Sequence, residues 1–381
     1  MPSEIRVDSI QGTTSPYDTV FTTTGGALSH RNMMINGAML VDQRMQGNLR
    51  ASVGATDDKY NTLDMWRTVW AGNGEPRNSI QQVAITDLAG FSKAMKIDCT
   101  TAEGGTQGAT EFFKMSYKFE GQDLQGLEKG FSTAKSFTIS FWVKGTASRT
   151  YVLELEDSPN SRHLTQQFSV TASWVKHTYT IPGDTTGKID CDNTEGLRLN
   201  LWFFAGGNYT GGTYTANTWK TTTANQRAEG ISGSGKGLMT TTSDEVYFTG
   251  FQMELGSAAT PFEHRSYGDE MVKCHRYYQN SYRLGQTPHT STPTDADGQY
   301  HTRWNDGNVT GPRWTVQMRA APVVVVRGYG ANTTGQVKVN GGGTPSTTVP
   351  NINANNAAYL AIGDSTGAVW AHYCWEADAG L

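Results

Sequence analysis

Strict alternation of apolar and polar residues constrains this chain more than any other feature of its sequence. From Ser136 to Lys144, Phe137, Ile139, Phe141 and Val143 fall on one side and Thr138, Ser140, Trp142 and Lys144 on the other. From Leu197 to Phe204, Leu197, Leu199, Leu201 and Phe203 point one way and Arg198, Asn200, Trp202 and Phe204 the other. A period of two marks a strand with one face buried, whereas a surface helix needs 3.6. Further strands are expected at Trp174 to Ile181 and Val246 to Leu255, separated by turn formers such as Pro182-Gly183-Asp184 and Gly206-Gly207-Asn208. No strand–helix–strand alternation accompanies them, so the strands predict a sandwich.

The length of 381 residues suits two or three domains. Residues 1–30 read as an arm in which Ile5, Val7 and Ser9 alternate with Arg6 and Asp8 before a Thr-Thr-Thr-Gly-Gly break. A lone strand cannot bury its own apolar face, so the arm is expected to pair with another chain or a larger assembly. Residues 31–265 read as the sandwich. Residues 266–280 predict a short connecting helix, since Met271, Cys274 and Tyr278 recur at three and four and Ser266 with Asp269 forms a capping box. Residues 281–381 predict a small second β domain, with an apolar run at Val323 to Arg327 and a closing strand at Ala368 to Trp375.

Charge excludes several classes. Charged residues are only 17% of the chain, the net charge is −4, and no Lys/Arg block stands out, so no nucleic-acid partner is expected. No stretch reaches the roughly 18 apolar residues of a membrane span. The N-terminal MPSEIRVDSIQG has no apolar signal core, so synthesis and folding in a cytoplasm are expected. Cys99, Cys191, Cys274 and Cys374 are far apart and form no Cys-x-x-Cys pair, which predicts buried free thiols.

Metal and catalytic motifs are weak. Asp295-Ala296-Asp297-Gly298 resembles a calcium loop but lacks the later Glu, and Asp306 and Asp364 sit alone in Gly-containing loops. Gly-Ser-Gly-Lys at 233–236 is not a phosphate loop, and no nucleophile elbow occurs. Glu154 and Glu156 lie on one face of an expected strand, as a glycosidase pair would, but solvated strand positions explain them as well. No enzyme, catalytic residue, metal or cofactor is expected.

One long motif carries a resemblance. It runs Gly250-Phe251-Gln252-Met253-Glu254-Leu255-Gly256, then Thr260-Pro261-Phe262-Glu263-His264-Arg265, then Gly268-Asp269-Glu270-Met271-Val272-Lys273-Cys274-His275-Arg276-Tyr277-Tyr278. This resembles a family of tailed-phage tail-fibre and minor virion structural proteins with a jelly-roll, carbohydrate-binding-module-like domain. Asn36-Gly37-Ala38-Met39, Tyr60 with Leu63-Asp64-Met65-Trp66, Phe119-Glu120-Gly121 and the ending Trp375 to Leu381 are similar to other parts of it, except that Met65 stands where the family usually has Arg. The N-terminal SEIRVDSI resembles the start of such proteins from phages of aquatic bacteria. The resemblance implies an all-β chain: a jelly-roll β-sandwich followed by a short helix and a small C-terminal β domain. It also implies a virion location, released by lysis, attachment to other tail or capsid proteins through residues 1–30, and a homotrimer. Contact with host surface polysaccharide is implied by the same resemblance. The rival expectations are a glycan-degrading tailspike and a purely structural capsid or tail decoration protein without a receptor site.

Sugar contact needs aromatic rings against apolar sugar faces, with amides and charges for the hydroxyls. The polar side of the two clearest strands offers Trp142, Arg198, Asn200 and Trp202, which form one patch if those strands are neighbours. The alternative is that a second sheet or a loop covers both tryptophans. Tyr209, Tyr214 and Trp219 lie in a Gly/Thr-rich loop from Ala205 to Thr223, where aromatics signal binding more strongly, against loop packing or a subunit contact. Trp66 and Trp70 are expected in the core.

Overall fold

The computed structural model describes residues 30–54, 59–60, 62–72, 77–103, 108–231, 237–288, 300–303, 308–328, 334–336, 338–339, 347–352, 357–362 and 370–381. The arm expected at 1–30 and the Asp295, Asp297, Asp306 and Asp364 loops lie outside the described residues, apart from His30.

Among the described residues, twelve strands build the sandwich. They are β1 (Arg50–Val53), β2 (Trp66–Ala71), β3 (Asn78–Ala84), β4 (Lys93–Cys99), β5 (Phe112–Glu120), β6 (Phe137–Gly145), β7 (Arg149–Asp157), β8 (Arg162–Val170), β9 (Val175–Ile181), β10 (Glu195–Ala205), β11 (Lys220–Thr221) and β12 (Glu245–Leu255). One sheet runs β1-β3-β4-β12-β6-β9 and the other β11-β8-β7-β10-β5-β2, with every pairing antiparallel. The chain crosses between sheets repeatedly, from β5 to β6, β6 to β7, β8 to β9 and β9 to β10, which is the jelly-roll habit. The inward residues of both sheets form one core, in which Phe141 stacks on Phe251 at 4.7 Å and Trp66 meets Phe251 at 4.9 Å.

The expected alternation holds in β6 and through most of β10. Leu197, Leu199, Leu201 and Phe203 are all in the core. Phe204 is a correction. The register slips between Trp202 and Phe204, so a bulge turns Phe204 inward to stack on Trp70 at 6.0 Å.

The expected helix is present but shorter. It is α2 (Tyr267–His275), with Ser266 accepting from the Asp269 amide as its N-cap; α1 is a single turn at Gly207–Thr210. Tyr278 leaves the helix and enters β13 (Tyr278–Asn280), which pairs with the chain's last strand. Strands β14 (Tyr300–Arg303), β15 (Asn308–Arg313), β16 (Val323–Gly328), β17 (Lys338–Val339), β18 (Thr347–Ile352), β19 (Ala357–Ile362) and β20 (Trp370–Asp378) complete the second unit. β13, β14, β16 and β17 pair with β20, while β15, β19 and β18 form a separate sheet.

The later part of the long motif, from Arg265 to Tyr278, lies along the seam between these units. Asn36, fully buried, bonds to the backbone of Val41 and Asp64, and its amide donates to Glu270 at 3.1 Å. Arg265 pairs with Glu270 at 3.0 Å, and Arg276 grips Glu120 through Nε (2.8 Å) and Nη2 (2.7 Å). With Met65 in the box, Asp64 takes its ion partner from elsewhere: Arg44 pairs with Asp64 at 3.1 Å and Asp378 at 2.8 Å, and lies 3.9 Å from the Tyr278 ring centre. Tyr278 donates to Glu376 at 2.9 Å. These buried charges are paired on all sides, as burial demands. Of the cysteines, Cys99, Cys274 and Cys374 are buried free thiols, but Cys191 is exposed because it lies in the loop before β10.

Candidate functional site

The outer faces of the two sheets differ sharply. On the β4-β12-β6-β9 face, cross-strand register sets two rows. Lys176, Trp142 and Thr249 form one; Lys144, Tyr247 and Lys96 form the next. Trp142, Tyr247 and the neighbouring Trp174 are half-buried, with ring surface left to solvent. The Lys144 ammonium lies 5.0 Å from the ring centres of both Trp174 and Tyr247 and pairs with Asp87. The loops beside this face add Phe91, Phe262 and His264, mutually in contact at 4.8–5.3 Å.

Gly250 explains how Phe91 and Trp142 come together. It stands at a bulge in β12 with φ +68°, and a Cβ there would lie 2.8 Å from Phe91 and 3.0 Å from Trp142. Only glycine leaves room for both rings at that backbone angle. The result is a solvent-facing row of rings with lysines and a carboxylate between them.

The β8-β7-β10-β5 face is roofed. Residues 206–231 fold over it, and Trp202, Val152, Ala205, Ala228 and Ile231 form a satellite core with Phe112 and Tyr209 beneath the roof. Beside that core lies a buried charge network. Glu154, fully buried, accepts from Asn200 (2.9 Å), the Trp202 indole (2.8 Å) and Arg227 (2.6 and 2.9 Å). Glu156 accepts from the same Asn200 amide nitrogen at 2.9 Å and meets Arg227 at 2.5 Å. Burial alone would raise the Glu154 carboxyl, but the charge and hydrogen bonds of Arg227 outweigh it and hold it at about 2. Lys114, whose ammonium lies 4.6 Å from the Trp202 ring centre, is pushed down by burial to about 8. A carboxyl held charged in this way is a poor proton donor at neutral pH.

The predicted patch therefore divides. Arg198, Asn200 and Trp202 are neighbours on the roofed face; Trp142 is on the opposite sheet, since β6 and β10 do not pair. Trp202 is fully buried, and Arg198 is held by Glu195 at 2.8 and 2.9 Å. The loop aromatics are half-buried, each with a packing or hydrogen-bond partner. Tyr209 meets Trp202 at 5.4 Å, the Tyr214 hydroxyl accepts from the Gln167 amide at 2.9 Å, and Trp219 donates to the Pro182 carbonyl at 2.9 Å over the Lys129 ammonium. Sequence reasoning passed over Tyr247, which the alternation of Val246 and Phe248 places outward, and over Phe91 and Phe262, which carry no strand signal.

Two clefts lie elsewhere on the described surface. One, of about 550 Å³, opens between the 207–211 and 223–225 turns of the roof and is lined by Asn208, Thr223 and Asn225. The other, of about 480 Å³, lies at the C-terminal seam among Tyr278, Ala320, Val325 and Glu376. Neither presents a row of rings. Among the described residues, no group of three or more His, Cys, Asp or Glu side chains is placed to hold a metal ion.

No family model matches this chain, and no curated protein does. Among solved structures it is similar to a CBM4 structure, with 12% identity and a TM-score of 0.30 over 58% of this chain and 98% of that one. It is similar to TmCBM61 in complex with β-1,4-galactotriose, with 11% identity and a TM-score of 0.27 over 54% and 99%. A family 11 carbohydrate-binding module from Clostridium thermocellum, in complex with a β-1,3-1,4-mixed-linked tetrasaccharide, shows 14% identity and a TM-score of 0.26 over 54% and 95%. The all-β architecture itself rests on this chain's own strand pairings, and the candidate site on its own side chains.

Proposed function

We propose that this chain is a non-catalytic, glycan-contacting subunit of a tailed-phage virion, a tail fibre or appendage, with its sugar-binding surface on the open β4-β12-β6-β9 face. The observation that carries the binding reading is the half-buried row Trp142, Trp174 and Tyr247 with Lys144 among the rings. Flat rings take the apolar faces of sugars, and the lysine side chains beside them reach the hydroxyls. The virion reading rests on the motif resemblance, and with it the homotrimer and attachment through residues 1–30. Several copies on one appendage would turn weak individual contacts into firm adsorption to a repetitive cell surface.

The non-catalytic reading is supported by Glu154, held charged and fully buried under the roof. The test is retention of the purified chain on immobilised bacterial polysaccharides, for the natural sequence and for Trp142→Ala. Loss of retention by a variant that still melts cooperatively is expected. Unchanged retention would sink the assignment of this face. No retention of the natural chain on any glycan would favour a purely structural appendage, and cleavage of a glycan would favour a tailspike.

A further inference from the structure

Most charges on the open face are paired. Lys96 pairs with Glu245 and lies 3.9 Å from Asp98, which also points outward, and Glu245 also accepts from the Tyr247 hydroxyl at 2.6 Å. Lys144 pairs with Asp87. Glu254, also outward-facing, is buried and satisfied by Gln252 and Thr260 at 2.6–2.8 Å. Lys176 is the exception. It is exposed on β9, directly across from Trp142, and its ammonium makes no ion pair or hydrogen bond among the described residues. Two residues along the same outward register, Thr178 is also exposed. On the roofed face Lys118, Arg198 and Arg227 have carboxylate partners, while the Lys220 ammonium makes no hydrogen bond among the described residues.

From this pattern we propose that the saccharide taken by the open face is an acidic one, whose carboxylate pairs with Lys176 while its ring lies on Trp142. The proposal rests on the glycan-contact reading above and narrows its ligand class. A neutral sugar would gain only the ring surface. A carboxylate beside the same ring gains an ammonium that no described protein group already occupies, in a charge-assisted hydrogen bond. Asp87 neutralises Lys144 a row away, which leaves Lys176 as the unpaired ammonium beside Trp142 among the described residues.

The experiment uses the full chain on an array of neutral and uronic-acid-containing polysaccharides. The best-bound glycan is then compared with its carboxyl-reduced form, which keeps every linkage and loses only the charge. Acidic glycans are expected to dominate, and carboxyl reduction is expected to weaken binding about fivefold at low salt, less at high salt. Lys176→Gln should cause the same loss on the acidic glycan and none on the reduced one. Asp87→Asn should strengthen acidic binding about as much, by releasing Lys144. Equal binding of both forms, with Trp142→Ala still abolishing it, would overturn the acidic preference and leave the glycan reading standing. No binding of any glycan would overturn both.

Discussion

Trp142 and Trp202 stand at equivalent places in two strands of the same pattern, each outward from a run of core residues. Trp142 keeps part of its ring in solvent over Gly250, whereas Trp202 is sealed beneath residues 206–231 with its indole committed to Glu154. The difference lies in the connection that leaves each strand. After β6 the chain makes a short turn into β7 and leaves the face bare; after β10 it supplies a long segment that folds back over its own sheet. An outward aromatic on a sandwich is therefore left on an open face or sealed into a satellite core according to the length of the connection that follows it.

The roofed face offers the largest effects. Trp202→Ala should cost about 3–5 kcal/mol in denaturant melts, since it empties a buried site and removes a donor from Glu154. Trp142→Ala should cost about 1 kcal/mol while removing glycan retention. Equal stability losses would erase the distinction between the faces.

Acid sharpens it next. The Glu154 carboxyl is held at about 2, below its ordinary 4.5, so its contribution is present above pH 4.5 and is lost as pH falls toward 2. The loss should be on the order of 3 kcal/mol. Arg227→Met should be less stable at neutral pH and should lack this acid step; a variant that kept the step would show that another group causes it.

Gly250→Ala probes the open face from below. Positive φ and the approach of Phe91 and Trp142 should together cost about 2 kcal/mol and weaken glycan retention. Retention at the natural level would mean that the two rings need not meet. The smallest effect is expected at Lys144→Met, which removes a partly exposed ion pair with Asp87 and should cost less than about 1 kcal/mol, vanishing at high salt.

Much of the fold was legible in residues 136–144 and 197–204, because period-two burial has one solution on a half-buried strand. The capping box at Ser266 located the helix start, since its signal is local. The helix end was not legible: Tyr278 fits the helical spacing, yet bonds to Glu376 almost a hundred residues on and joins a strand. The seam shows why the long motif is informative about fold. Its residues Arg265, Glu270, Arg276 and Tyr278 hold the sandwich, helix and last strand together and take no part in either outer face.

By itself the sequence determined the strands, their inward faces and a sandwich, because those depend on neighbours two residues apart along one chain. Which outward residues share a surface was decided only in three dimensions. Sheet membership put Trp142 apart from Arg198, Asn200 and Trp202, and the return of residues 206–231 turned the second set into interior. Neither outcome is written in local periodicity, because strand order and loop coverage are set by contacts between residues far apart in sequence.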